Sequence, residues 1–133
     1  MKKILVIVAL VLMLSGGAFA NELVGKKVYC KISDNFSVSF EFGKYKVKYI
    51  PVGNESSLVQ GFKVYKSEYS YNLERIAIQD SPYFFYINRK TLKLTNFGNG
   101  KQCELVKRNV NLKKKMKKMF DKFYKEATSE NKI

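Results

Sequence analysis

Between Val24 and Val106 apolar and polar residues alternate with a period of two, and this rhythm constrains the fold more than any other feature of the chain. Its clearest stretch runs Phe36, Val38, Phe40 and Phe42 between Ser37, Ser39 and Glu41. After Gly43, Tyr45, Val47 and Tyr49 alternate with Lys44, Lys46 and Lys48. Successive strand side chains point to opposite faces, so this reads as a hairpin turning at Gly43 with one apolar and one solvated face. Strands are expected near 24–32, 36–42, 44–50, 61–67, 70–79, 83–88, 91–96 and 101–107. Turns are expected at Ser33-Asp34-Asn35, Gly53-Asn54-Glu55, Asp80-Ser81-Pro82, Asn88-Arg89-Lys90 and Gly98-Asn99-Gly100, with Pro51 to Gln60 the longest loop. Links this short join antiparallel neighbours. About eight such strands make an all-β domain, either a small closed barrel or a flattened sandwich, and alternation alone does not separate the two.

The two ends depart from this rhythm. Lys2 and Lys3 precede an apolar run from Ile4 to Leu14, followed by Ser15-Gly16-Gly17 and the small-x-small triplet Ala18-Phe19-Ala20. This is the layout of a secretory signal over residues 1–20, with cleavage expected after Ala20. A bilayer span needs about 20 apolar residues, more than this run supplies. Asn21 stands where a lipoprotein anchor would need cysteine. The expected product is periplasmic or secreted: a domain over 21–107 and a basic tail over 108–133. In an oxidising compartment Cys30 and Cys103 are expected to pair, which places the first and last strands side by side.

In the tail the period becomes helical. Leu112, Met116, Met119, Phe120, Phe123, Tyr124 and Ala127 fall in one stripe, with Asn111 as N-cap and fraying expected from Ser129 to Ile133. Lys113, Lys114, Lys117, Lys118, Lys122 and Lys125 occupy the remaining surface, and lysines in the first turn oppose the helix dipole. The chain carries a net charge of +14. Residues 21–106 hold 13 basic and 8 acidic side chains, a net of +5, while 107–133 hold 10 and 3, a net of +7. Such a balance favours anionic partners. With 22 Lys against 3 Arg, it favours diffuse attraction over bidentate recognition.

Candidate chemistry is sparse. The chain has no histidine, so the usual general base and every Ser/His or Cys/His nucleophile are excluded; with both cysteines bridged no soft metal site is left. No catalytic residue, metal site or cofactor is expected, and the protein is expected not to be an enzyme. The basic surface of Lys44, Lys46, Lys48, Lys113, Lys114, Lys117, Lys118 and Lys122 is the main binding candidate. It would face anionic lipid, an anionic envelope surface or a protein partner. The helix stripe has two readings that compete for one face: burial in lipid, or packing across the barrel wall or mouth. Nucleic acid could stack on tyrosines beside Lys44, Lys46 and Lys48, although export argues against it. A lipocalin-like carrier of a small apolar ligand, lined by some of the 10 Phe and 9 Tyr, is the alternative function.

Tyr29 followed directly by Cys30 on the first strand, a β meander and a late second cysteine resemble the small periplasmic inhibitors of c-type lysozyme. That resemblance implies an antiparallel barrel and the further alternative of an inhibitor of a secreted hydrolase. Where that family has a Ser-Gly-x-x-Tyr segment this chain has Tyr69-Ser70-Tyr71-Asn72, and it has no tryptophan, so the inhibitory residues do not carry over. The run from Tyr86 to Leu94, followed by Cys103-Glu104-Leu105, is similar to the penultimate hairpin of small exported bacterial and phage-encoded β-rich proteins of unknown function. That likeness implies a shared fold, with Arg89 and Thr91 expected to order the turn.

Overall fold

The computed structural model describes residues 22–53, 61–80, 83–96 and 100–129. The expected signal over 1–20, the loop residues 54–60, the Ser81-Pro82 and Gly98-Asn99 turn positions, and the fraying end at 130–133 lie outside the described residues.

Eight strands close into one antiparallel barrel in simple chain order. They are β1 (Lys27–Ser33), β2 (Phe36–Phe42), β3 (Lys46–Gly53), β4 (Tyr65–Tyr71), β5 (Arg75–Asp80), β6 (Tyr83–Asn88), β7 (Lys93–Leu94) and β8 (Lys101–Val106). A helix, α1 (Leu112–Thr128), follows. Closure is made by β1 against β8, where Cys30 lies opposite Cys103 with their Cα atoms 4.2 Å apart and the sulfurs bonded. A meander closed in this way leaves no free edge between its first and last strands.

The interior is built by the inward half of each alternation. Val28 and Cys30 of β1, Val38, Phe40 and Phe42 of β2, Val47 and Tyr49 of β3, Ile76 and Ile78 of β5, and Phe85 and Ile87 of β6 form one buried cluster with Leu94 and Cys103. Phe85 meets Phe40 edge-on at 5.1 Å and Tyr49 at 5.4 Å, while Tyr65 stacks on Tyr49 at 5.1 Å. Large aromatic rings thus fill this part of the barrel, and their burial is its main source of stability.

β1 starts at Lys27 instead of 24, β4 runs over Tyr65–Tyr71 instead of 61–67, and β7 is Lys93–Leu94 instead of 91–96; in three further places the departure from the sequence has a clear local reason. Tyr45 and Lys44 belong to the turn, because the Gly43 N–H closes back onto the Lys46 carbonyl at 2.9 Å. Tyr45 is consequently 74% exposed and outside the apolar face expected for it. A side chain at Gly43 would stand 2.8 Å from the Lys46 carbonyl oxygen, so this close approach needs glycine. The expected strand over 70–79 is broken by a turn at Asn72-Leu73-Glu74, where the Asn72 carboxamide oxygen accepts from the Glu74 and Arg75 N–H groups at 2.8 and 2.9 Å. Pro51 lies inside β3 opposite Val38, beyond Tyr49 where pairing to β4 ends, so its missing N–H costs no ladder bond there.

Candidate functional site

The outer surface of β1–β2–β3 carries the features that bear on function. Along β3 the outward positions change from Lys46 and Lys48 to Ile50 and Val52, and the apolar half is covered by α1. Leu112 and Met116 are buried, and Met119, Phe120 and Phe123 pack half-buried with Tyr29, Phe62 and Val64 against Ile50 and Val52. The stripe ends there. Tyr124 is 58% exposed and stacks on Phe120, and Ala127 is exposed. Ser37 and Ser39, on the outward side of β2, are buried beneath this layer, which corrects the expectation of a solvated outer face for that strand. Small residues there let a helix approach the sheet closely.

The helix is anchored at its entry. Asn111 caps it as expected, its carboxamide oxygen accepting from the Lys114 N–H at 3.1 Å. Lys27, on the outer face of β1, donates to the Arg108 and Val110 carbonyls at 2.8 and 2.6 Å and lies 3.8 Å from Glu41. Lys115 sits over the Tyr29 ring at 4.4 Å. The alternating pattern gives no hint that Lys27 holds a chain crossing 81 positions later.

The lysines expected to form one basic surface divide into separate groups. Lys44 is at the β2–β3 turn, 5.4 Å over Tyr45, and Lys46 and Lys48 are exposed on β3. Lys114, Lys118 and Lys122 are exposed on α1, while Lys117 is paired with Asp121 at 3.1 Å and lies over the Phe62 and Phe120 rings. Lys48 and Lys113 meet at a groove of about 300 Å³, which also takes in Lys66, Ser39 and the acidic Glu41. Lys66 was not distinguished by the sequence, since its position depends on the β3–β4 register across residues 54–60.

Arg89 and Thr91 do not order their own turn; the Asn88 carboxamide oxygen does, accepting from the Lys90 and Thr91 N–H groups at 2.9 and 3.0 Å. Arg89 reaches away instead, donating to the Asn72 carbonyl at 2.6 Å and pairing with Glu22 at 2.9 Å. It thereby joins the β4–β5 turn, the β6–β7 turn and the segment before β1. Thr91 contributes its carbonyl, which accepts from the Gln102 side chain at 2.8 Å.

Three tyrosines have ionisation pushed upward. Tyr49 is raised far beyond its ordinary value, first by burial and then by its 2.6 Å hydrogen bond to Asp80. Burial also raises Tyr69 and Tyr83, the latter with a further contribution from Tyr65. These groups stay neutral hydrogen-bond donors at physiological pH. Among the described residues no group of three or more His, Cys, Asp or Glu could hold a metal ion, and no helix is long and apolar enough to cross a membrane.

Fold and surface together define a small disulfide-closed β-barrel carrying a docked basic helix. No family model, curated protein or solved structure matches the chain.

Proposed function

We propose that this protein is a non-catalytic, exported binding module whose lysine-rich outer face holds it against an anionic envelope surface. One observation carries the reading: α1 spends its apolar stripe on the barrel wall and turns Lys114, Lys118, Lys122 and Lys125 to solvent. A helix docked in this way attracts anionic surfaces by charge and has little apolar surface left to insert. Export is supported by the Lys2 to Ala20 pattern and by the cystine, which suits an oxidising compartment. The absence of histidine supports a non-catalytic role. The aromatic filling around Phe40, Tyr49 and Phe85 weighs against the small-ligand carrier.

Co-sedimentation of the processed protein with vesicles tests the reading. Binding is expected with anionic vesicles at low salt, to fall steeply as salt rises, and to be lost with zwitterionic vesicles. At about 1 kcal/mol per lysine, the double change Lys114→Glu, Lys118→Glu is expected to weaken it at least about thirtyfold. Binding that ignored both salt and the double change would overturn the proposal.

A further inference from the structure

The groove between β2, β3, β4 and the start of α1 has the makings of a discrete anion site. On the outer face of the sheet, Lys48 stands directly opposite Lys66 in the β3–β4 register. Like charges placed across a strand pair repel, and Glu41, opposite Lys48 on the β2 side, offsets this for Lys48 but leaves Lys66 without an acidic cross-strand neighbour on β3. Lys113, on the first turn of α1, lines the same groove. Among the described residues none of these three ammonium groups is in an ion pair; Glu41 also lines the groove and stands opposite Lys48 in the β2–β3 register, with its carboxylate 3.8 Å from Lys27.

Two further observations point into the same space. Ser39 is 1% exposed and lines the groove, and among the described residues its hydroxyl has no hydrogen-bond partner. A buried hydroxyl without a partner is uncommon in folded proteins and calls for a missing one. The first turn of α1 carries no acidic residue, so the positive end of the helix dipole adjoins Lys113, Lys114 and Lys115 uncompensated. An oxyanion here would separate Lys48 from Lys66, accept from the Ser39 hydroxyl and offset the helix end together.

We infer that this groove binds a phosphate monoester. Three lysines against the single carboxylate of Glu41, which Lys27 also neighbours, leave the groove net positive, which favours a doubly charged group. The 300 Å³ space is larger than a phosphate ion, and Ile50, Val64 and Leu112 supply apolar wall for an organic substituent. The site is separate from the outward lysines of α1 and goes beyond the surface-binding reading.

Backbone-amide NMR titration of the disulfide-intact protein with phenyl phosphate tests the inference, with inorganic phosphate and benzoate as comparison ligands. Saturable shifts confined to Ser39, Lys48, Lys66, Lys113 and their neighbours are expected with phenyl phosphate. Inorganic phosphate should bind more weakly and benzoate more weakly still. Lys66→Gln, at an exposed position, is expected to reduce affinity about tenfold. Ser39→Ala should also reduce affinity while leaving the melting temperature unchanged or raised, because it removes a buried polar group without a partner. Lys118→Gln should leave affinity unchanged, so loss of vesicle binding and loss of phosphate binding are distinguishable. Shifts that climb without saturating across all exposed lysines would overturn the inference, as would Lys66→Gln and Ser39→Ala proteins that bind like the parent.

Discussion

At the scale of single residues, side chains that reach across the chain matter most here. The Arg89 side chain is only 12% exposed, and its guanidinium holds a carbonyl of one turn and the carboxylate of Glu22 and lies over the Tyr71 ring. A lysine ammonium donates from a single nitrogen rather than from a planar fork and cannot reproduce that geometry. Arg89→Lys is therefore expected to lower unfolding free energy by about 1–2 kcal/mol in urea titration; a change within about 0.3 kcal/mol would show the contacts to be dispensable. Tyr49 makes a second residue-scale case. Its ionisation is raised in the folded state above the ordinary tyrosine value of 10.0, so the fold binds a proton that the unfolded chain releases. The resulting stabilisation is complete below about pH 10 and is lost as pH rises through the folded value. Phenolate absorbance during alkaline titration should show a late-ionising component coincident with unfolding, and Tyr49→Phe should diminish it. An unaltered late component in that variant would assign the effect to other tyrosines.

At the scale of elements, the helix and the barrel wall depend on one another through Met116, which is fully buried against Ile50 and Val52. Truncating a buried methionine costs about 2–5 kcal/mol, and placing a carboxylate there costs more. Met116→Asp is expected to undock α1 while the barrel, with its own core, stays folded. Limited proteolysis should then cut within Leu112–Thr128, and a hydrophobic dye should bind the uncovered face. Continued protease resistance would place the helix's anchor elsewhere, with Lys27 and Lys115 the next candidates. The strand Phe36–Phe42 was legible in the sequence because strict alternation and flanking turns agree there, and Tyr83–Asn88 because an aromatic and β-branched run lies between turn signals. The Asn72-Leu73-Glu74 turn was not, since it contains neither glycine nor proline and depends on one carboxamide. The buried outer face of β2 was also hidden: Ser37 and Ser39 read as solvated until a helix 17 residues long is laid over them. The groove escaped for the same reason, because Lys48, Lys66 and Lys113 meet only once register and docking are fixed.

At the scale of the whole molecule, the barrel is least continuous where β7 contributes two residues, Lys93–Leu94, and pairs with β6 through a single position. The strand after it, β8, is held on its other side by β1, and there the cystine lies. The two cysteines made this seam foreseeable, although not that they would face one another in register. Closing a loop across 73 positions stabilises the fold by about 4 kcal/mol in the chain-entropy model. Its loss should not be felt evenly. Lys27 of β1 holds the carbonyls of Arg108 and Val110, so a β8 that parts from β1 pulls on the entry to α1 as well. In a Cys30→Ala, Cys103→Ala protein, hydrogen exchange is expected to quicken together in β8 and in the first turns of α1. The β2–β3 hairpin, paired continuously from Phe36 opposite Gly53 to Phe42 opposite Val47, should keep most of its protection. If α1 kept its protection while β8 opened, the helix would owe its place to the β2–β3 surface alone, and Lys27 would be a bystander.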